Sequence, residues 1–344
     1  MKIISEQNTN DLLTVILPIK DNHKMTRRWL KYAYDNNFKY KIYIADGGKK
    51  TFKIDQIFKK ELDINYRYYG YDDTHYKYIL KIMKSVNSVK TKYCLLADND
   101  DFYIKDTINK SILYLEKNLK YSSCGGDILK FVLTNKIKGK VTYTAHAKQN
   151  SYLDNSSKSR MIKLSQNFNE IYYDVTRTKL MKKYTSDFIK FNKNYFNYFF
   201  FPLAMSFFLV SKGKVKKFDD IMLLRQEDYQ SSTSSGLIST ANIFYDTNFS
   251  LNFNNSIEII YVNLNKIIKK EFIRDLVKIT ISNLVSSNII SNKKINITFL
   301  NFLKTKISKS GLFFILKKIK YNFNVKKLEY SQRKLINKLL DRVD

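Results

Sequence analysis

Cysteine, proline and glycine are scarce in this chain, and these scarcities exclude several classes of protein. Of 344 residues, only 2 are cysteine, 2 are proline and 9 are glycine. Cys94 and Cys124 cannot supply the several disulfides of a small secreted scaffold, and they lack the spacing of a zinc site. No stretch rich in proline, glycine and serine marks a flexible linker. We therefore expect a protein of a reducing compartment, located in the cytoplasm.

Several familiar sequence signals are also missing. The N-terminal residues contain no long apolar run, so we expect no signal peptide. Residues 195–210 carry no charge, but Pro202 interrupts them and they are short for a bilayer span, which favours a buried helix. The chain has neither the phosphate-binding Gly-x-x-x-x-Gly-Lys loop nor the dinucleotide-binding Gly-x-Gly-x-x-Gly pattern. Its three histidines are scattered, without metal-ligand spacing.

Acidic residues are few relative to basic ones. The chain has 61 Lys and Arg residues against 31 Asp and Glu residues, which gives a net charge of +30. This excess favours an anionic partner such as a nucleotide, a phospholipid surface, an anionic glycan or a nucleic acid. General solubility in a lysine-rich chain is the alternative. Nucleic acid is the least favoured partner, because no recognised reader motif is present.

The first 120 residues alternate between short β-branched runs and amphipathic segments. Strands are predicted over residues 11–19, 40–45, 64–69 and 93–98, and helices over 24–37, 52–62, 76–89 and 106–119. This order predicts an α/β fold with a mostly parallel, doubly wound central sheet flanked by helices. Beyond residue 122 the pattern changes, with strands predicted over 128–133 and 140–145.

Three carboxylates follow directly after the fourth predicted strand. The apolar run of residues 93–97 ends in Asp98, Asn99, Asp100 and Asp101. A strand interior does not accept this sequence, and ligands of open α/β sheets bind at the carboxyl ends of strands. Clustered carboxylates favour a hard cation such as Mg²⁺ or Mn²⁺, which is usually shared with substrate phosphates. The sequence therefore predicts a metal–diphosphate site.

Four ordered motifs resemble the nucleotide-binding half of family 2 glycosyltransferases of the GT-A type. They are a first strand ending Leu-Pro-Ile-Lys, a second ending Ala-Asp-Gly-Gly, the pattern Val-x-Thr-x-Tyr at residues 89–93, and Asp-x-Asp-Asp-Phe at residues 98–102. The resemblance covers roughly residues 12–240. It implies a GT-A fold and the transfer of a sugar from a nucleotide donor.

The resemblance also implies roles for residues on the donor side. Pro18 and Asp46 would lie at the nucleotide, with Asp46 bonded to the base, and Lys81 would help to neutralise the phosphates. Because most lysines are exposed, a solvated helix lysine is the alternative for Lys81. Asp98 would reach the ribose or the metal, and Asp100 and Asp101 would hold a divalent cation, Mn²⁺ or Mg²⁺, on the diphosphate.

Glu227 and Asp228 resemble the Glu-Asp motif that begins a helix on the acceptor side of these enzymes. In inverting members the Asp is the general base, so Asp228 would take the proton of the acceptor hydroxyl. Glu227 would hold the acceptor or serve as the base instead. The alternative is that both acids stabilise the first turn of a helix through its dipole. No Gln-x-x-Arg-Trp motif follows, so a processive synthase is not expected.

These features predict two regions. Residues 1–254 would form the catalytic domain, with the nucleotide-sugar half over 12–121 and the acceptor half over 122–254. Residues 255–344 would form a basic helical region, with 19 basic and 6 acidic residues. Its apolar and basic segment 313–320 suggests peripheral binding to the inner face of the cytoplasmic membrane. An amphipathic helix packed on the catalytic domain is the alternative.

The predicted function is that of a metal-dependent, inverting glycosyltransferase. It would move one sugar from a nucleotide sugar, with a uridine diphosphate sugar favoured, to a glycan or lipid-linked acceptor in polysaccharide or lipopolysaccharide-type biosynthesis. Two alternatives stay open: a nucleotidyltransferase on a similar sheet, and a non-catalytic binder of anionic membranes through the basic tail.

Overall fold

The structure is a computed structural model that describes residues 9–134, 141–192, 198–227, 248–264 and 267–293, with side chains up to residue 284. Within these ranges it has one mixed sheet with helices packed around it, so the α/β fold class is confirmed. The strands are β1 (Leu13–Ile19), β2 (Lys41–Asp46), β3 (Ile64–Tyr68), β4 (Tyr93–Leu96), β5 (Phe102–Tyr103), β6 (Tyr121–Leu133), β7 (Val141–Ala147), β8 (Val175–Arg177) and β9 (Lys214–Gln226).

The described helices alternate with the strands in the first half of the chain and cluster in the second half. They are α1 (His23–Asp35), α2 (Gln56–Glu61), α3 (His75–Ser88), α4 (Lys105–Lys117), α5 (Ser157–Gln166), α6 (Thr178–Phe191), α7 (Phe200–Lys212), α8 (Phe249–Asn263) and α9 (Lys270–Lys293).

The parallel part of the sheet is built by the first four strands, in the order β3-β2-β1-β4. The seven residues of β1 are all buried, as expected for a central strand covered on both faces. The parallel register sets Pro18 opposite Ala45, and Ile16 opposite Leu96. The residues that follow β2 and β4 therefore emerge at the same edge of the sheet, on either side of the end of β1.

The rest of the sheet mixes orientations. The three-residue strand β8 joins β4 to β6 by antiparallel pairing, and the long strands β6 and β9 run parallel to each other. β5 pairs antiparallel with β9, with Phe102 opposite Leu224. Because β5 follows the carboxylate turn at once, this pairing brings the end of β9 next to residues 98–101.

The aromatic segment predicted as a buried helix forms α7, whose residues from Phe200 to Ser211 are all buried. Pro202 lies in its first turn, where a backbone N–H has no partner within the helix, so the proline does not interrupt it. α8 packs on α7, and α9 packs on α8 and α5; Ile260 of α8 and Ile273 of α9 are both fully buried. None of the described helices is both long enough and apolar enough to span a membrane.

Candidate functional site

The carboxylates after β4 form a compact cluster. One carboxylate oxygen from each of Asp98, Asp100 and Asp101 can be chosen so that the three atoms lie within 4.8 Å of one another. The N–H of Asp101 donates to the carbonyl of Asp98 at 3.3 Å, which closes the turn that gathers the side chains. Three hard oxygen ligands at this separation fit a divalent cation of the Mg²⁺ or Mn²⁺ type.

The electrostatics of the cluster also fit a bound cation. Burial raises the pKa of the Asp98 carboxyl. Burial, together with the charge of Asp98, raises the pKa of Asp100 to about 6. Burial and the charge of Asp100 raise the pKa of Asp101 well above its ordinary value. A divalent cation among these oxygens would favour their charged forms and offset the repulsion between them.

Arg28 and Gln226 hold the carboxylate turn from outside. The Arg28 guanidinium on α1 donates to Oε1 of Gln226 at 2.7 Å and to the carbonyl of Asp100 at 3.3 Å. The N–H of Gln226 in turn donates to Oδ1 of Asp101 at 2.9 Å. Burial lowers the pKa of Arg28 to about 10, although Asp100 opposes this shift. Sequence reasoning did not identify either residue, because no motif marks them.

Tyr173 and Arg225 approach the cluster from the second half of the chain. The Tyr173 hydroxyl, just before β8, donates to Oδ2 of Asp98 at 2.8 Å. The guanidinium of Arg225, near the end of β9, lies over the Tyr173 ring at 5.0 Å from its centroid. The cluster is thus bounded by side chains from α1, β9 and the segment that leads into β8.

Asp46 lies at the end of β2, and its carboxylate is fully buried. Oδ1 accepts the N–H of Gly48 at 2.8 Å, and Oδ2 accepts the N–H of Phe52 at 2.8 Å and the hydroxyl of Tyr66 at 2.7 Å. These bonds fix the loop after β2. Direct contact of Asp46 with a nucleotide base stays a prediction, as does the role of Pro18, which is buried on the neighbouring strand.

Lys81 is almost completely buried, with 1% of its surface exposed, so the alternative of a solvated helix lysine is wrong. Its ammonium donates to Oδ2 of Asp72 at 2.5 Å and to the carbonyl of Ile19 at 2.8 Å. Burial lowers the pKa of Lys81 and raises that of Asp72, while the attraction between the two charges opposes both shifts. Lys81 therefore ties α3 to the end of β1, and phosphate binding by Lys81 stays a prediction.

Asp72 occupies the space left by a glycine. A Cβ atom on Gly47 would lie 1.9 Å from Oδ2 of Asp72, so only glycine allows this approach of the two loops. The ammonium of Lys20, the residue after β1, also donates to the Asp72 carbonyl, at 2.5 Å. The loops after β1 and β2 and the loop before α3 are joined in this way.

Of the two predicted catalytic acids, Glu227 is described by the structure and Asp228 lies outside the described residues. The Glu227 carboxylate accepts the ammonium of Lys130 at 3.2 Å and the hydroxyl of Thr144 at 2.6 Å. Its N–H donates to the carbonyl of Phe131 at 2.7 Å, which extends the β6–β9 pairing by one residue. Glu227 is the next residue after Gln226, whose N–H binds Asp101, so the predicted acceptor side begins at the carboxylate cluster.

No protein-family model matches the chain, and the search of curated proteins gave no match. The chain is similar to solved structures of S. aureus TarS. With TarS 1-349 in complex with UDP-GlcNAc the identity is 13%, over 83% of this chain and 76% of that one, with a TM-score of 0.49. With TarS 1-349 in complex with UDP the identity is again 13%, over 78% and 70% of the two chains, with a TM-score of 0.43. This similarity concerns the backbone alone.

Proposed function

We propose that the protein is a metal-dependent glycosyltransferase that moves one sugar from a nucleotide sugar to a glycan or lipid-linked acceptor. The observation that carries the proposal is the group of three carboxylates after β4, gathered within 4.8 Å at the carboxyl edge of a parallel sheet. The resemblance carried by the ordered sequence motifs also implies that these residues would lie at the diphosphate of a donor.

The residues around the cluster have separable roles in this proposal. Asp98, Asp100 and Asp101 would hold the cation, Mn²⁺ or Mg²⁺, which when bound would stabilise negative charge on the leaving diphosphate. Tyr173 orients the Asp98 carboxylate through its hydrogen bond, and Arg28 and Gln226 fix the turn. Such supporting contacts keep ligand oxygens in place before the substrate arrives.

The acceptor hydroxyl needs a base as its oxygen attacks the anomeric carbon. In that step the new glycosidic bond forms, the bond from the anomeric carbon to the diphosphate breaks, and the hydroxyl proton passes to the base. We assign this role to Asp228, which gives inversion at the anomeric carbon. Glu227, already bonded to Lys130 and Thr144, would bind the acceptor.

The donor, acceptor and location are also part of the proposal. A uridine diphosphate sugar is the first donor to test, and the acceptor would be a precursor of a cell-surface polysaccharide or a lipopolysaccharide-type glycan. The enzyme would work in the cytoplasm, peripherally on the inner face of the membrane through its basic C-terminal region.

Thermal unfolding with a panel of nucleoside diphosphates, with Mn²⁺, with Mg²⁺ or with EDTA, tests the donor site. A ligand that binds the native state raises the unfolding temperature by mass action. We expect a shift with one nucleotide that requires the cation and disappears in Asp100→Asn. Asp219→Asn is the matched control, because the side chain of Asp219 is 98% exposed.

Product analysis separates this function from the nearest alternative. The same carboxylates would serve a nucleotidyltransferase, which releases pyrophosphate, whereas a glycosyltransferase releases a nucleoside diphosphate. If no nucleotide shifts the unfolding temperature under any condition, the glycosyltransferase proposal is wrong, and a non-catalytic membrane binder becomes the hypothesis to pursue.

A further inference from the structure

Arg225 lies beside the carboxylate cluster and has no role in the proposed function as stated so far. Its guanidinium is partly buried and lies 5.0 Å from the centroid of the Tyr173 ring. Within the part of the chain that the structure describes, this guanidinium makes no hydrogen bond or ion pair. Five N–H donors are thus held near the carboxylate cluster with only an aromatic face as a contact.

Two other arginines of this protein use their N–H groups in hydrogen bonds to the protein backbone. Arg160 donates to four backbone carbonyls, among them Val210 at 2.7 Å. Arg177 bonds to the carbonyls of Tyr121, Leu115 and Asn118. These two arginines fasten elements together, whereas Arg225 is positioned by stacking and keeps its donors available.

The surroundings of Arg225 keep it charged and close to the carboxylate cluster. Tyr173, on which it stacks, donates to Asp98 at 2.8 Å. Burial tends to lower the pKa of Arg225, but Tyr173 and the carboxylate of Asp101 raise it above its ordinary value. On the neighbouring strand, its register partner Lys130 is already paired with Glu227. Arg225 is therefore a cation beside the carboxylate cluster whose donors are available among the described residues.

We propose that Arg225 binds a phosphate group of a substrate through its guanidinium fork. The proposal rests on the proposed function, since it takes the phosphate to be one brought by the donor or the acceptor. The planar fork of arginine matches two phosphate oxygens, and stacking on an aromatic ring pre-orients it. The three nearby carboxylates would repel a phosphate by themselves, and a divalent cation together with Arg225 offsets that repulsion.

Two sources of the phosphate are possible: the diphosphate of the donor and a phosphate on the acceptor. Titration calorimetry with Mn²⁺ present compares uridine, uridine diphosphate and glycerol 3-phosphate on the wild type, Arg225→Gln and Arg225→Lys. If the donor is the source, Arg225→Gln weakens uridine diphosphate about tenfold to a hundredfold and leaves uridine unchanged, as expected for loss of charge-assisted hydrogen bonds.

If the acceptor is the source of the phosphate, uridine diphosphate should bind the wild type and Arg225→Gln with equal affinity. In that case glycerol 3-phosphate should bind to wild-type protein that is already saturated with Mn²⁺ and uridine diphosphate. Its affinity for Arg225→Gln under the same conditions should be at least about tenfold lower. In either case Arg225→Lys keeps the charge without the fork and recovers only part of the affinity. Arg67→Gln is the matched control, because Arg67 stacks on Tyr69 at 5.1 Å on an exposed strand.

The outcomes separate the two proposals. If the wild type binds a nucleoside diphosphate with Mn²⁺ and neither phosphate ligand is weakened in Arg225→Gln, the role of Arg225 is wrong while the proposed function stands. If the wild type binds neither glycerol 3-phosphate nor any nucleoside diphosphate of the thermal-unfolding panel, both are wrong. Far-ultraviolet circular dichroism and the unfolding temperature of each variant show that a loss of affinity is not a loss of fold.

Discussion

At the residue scale, the carboxylate cluster lowers the stability of the folded protein when no cation is bound. Three acids share one turn, and burial raises the pKa of each, so their charged forms are less stable here than in water. Proteins retain such arrangements where a ligand offsets the cost. The stability of the protein should therefore depend on pH and on cations in a direction that these shifts fix.

Asp100→Asn should make the metal-free protein more stable at neutral pH. The pKa of Asp100 is about 6 in the folded state against an ordinary 3.8. The folded state therefore holds the proton more tightly, and the associated stability is lost as the pH rises through 6. Removing the charge should raise the free energy of unfolding at pH 7 by about 1 kcal/mol, after allowance for solvent screening.

Urea unfolding in EDTA at pH 7 and pH 4 measures this effect. The difference between Asp100→Asn and the wild type should shrink at pH 4, where the wild-type carboxyl is protonated in the folded state. A variant that is less stable than the wild type at pH 7 would contradict the assignment. Adding Mn²⁺ should stabilise the wild type more than the variant.

Tyr173→Phe should weaken cation binding without removing a ligand. The hydroxyl positions Asp98 from 2.8 Å, and loss of such a supporting contact typically lowers metal affinity about tenfold or more. Titration calorimetry with Mn²⁺ measures the change. Tyr172→Phe is the neighbouring control, because the buried Tyr172 hydroxyl has no hydrogen-bond partner in the described structure. Equal effects of the two substitutions would show that the Tyr173 hydroxyl has no positioning role.

At the scale of elements, α3 is joined to the sheet by a buried ion pair. Lys81 and Asp72 connect the helix to the ends of β1 and β2, and both side chains are at least 97% buried. Removing one member of a buried pair leaves the other charge buried without a partner. The resulting loss of stability is larger than the net stabilisation that the intact pair provides. Lys81 thus controls the geometry of the loop between β3 and α3.

Lys81→Met should lower the free energy of unfolding by about 3–5 kcal/mol, because Asp72 would be left buried and charged. Chemical denaturation at pH 7 measures the change. Lys77→Met on the same helix breaks the exposed pair with Asp73 and should change little. If both substitutions had the same small effect, the pair would not be what fixes α3.

The elements of the first half were predictable from sequence, and those of the second half only in part: the strands predicted over 128–133 and 140–145 lie within β6 and overlap β7, whereas α5, α6 and β9 were not predicted. The four strands and four helices before residue 120 have apolar runs bounded by polar ends, and all appear close to their predicted places. The strand β9 was not predicted, because a lysine such as Lys217 in a sequence normally indicates a solvent-facing position. In the structure it is buried and pairs with Asp174 at 2.6 Å. A pairing between distant residues carries no local pattern.

In the candidate site, too, residues that are close in sequence were predicted and contacts between distant residues were not. Asp98, Asp100 and Asp101 were predicted because one turn contains them all. Arg28 and Gln226, which hold that turn, are 198 positions apart in the chain. Their roles depend on the β5–β9 pairing, which no spacing along the sequence reveals.

At the scale of the whole molecule, the C-terminal helices are part of the folded body. α8 runs from Phe249 to Asn263 and therefore passes through the predicted boundary at 254/255. Its residues Ile257 and Ile260 are fully buried, as is Ile273 on α9. The segment 313–320, on which the membrane prediction depends, lies outside the described residues.

Two truncations should therefore behave differently. A chain ending at residue 254 should lose cooperative unfolding, because it exposes the apolar surface that α8 and α9 cover. A chain ending at residue 293 should unfold cooperatively and should bind anionic vesicles less than the full chain does. Urea unfolding and liposome flotation are the measurements. Unchanged flotation of the 293-residue chain would rule out the tail as a membrane anchor.

The bond between Gln226 and Asp101 has a consequence for how the protein is made. The two residues are 125 positions apart, and the turn that carries the carboxylates gains this hydrogen bond only when β9 has paired with β5. A ribosome that has released the first 120 residues has delivered every predicted cation ligand, but none of the β9 contacts that hold them. Cation binding should thus appear late during synthesis, after about two thirds of the chain has emerged. Pairing over such distances is slow, so this step should govern how quickly the newly made protein becomes competent.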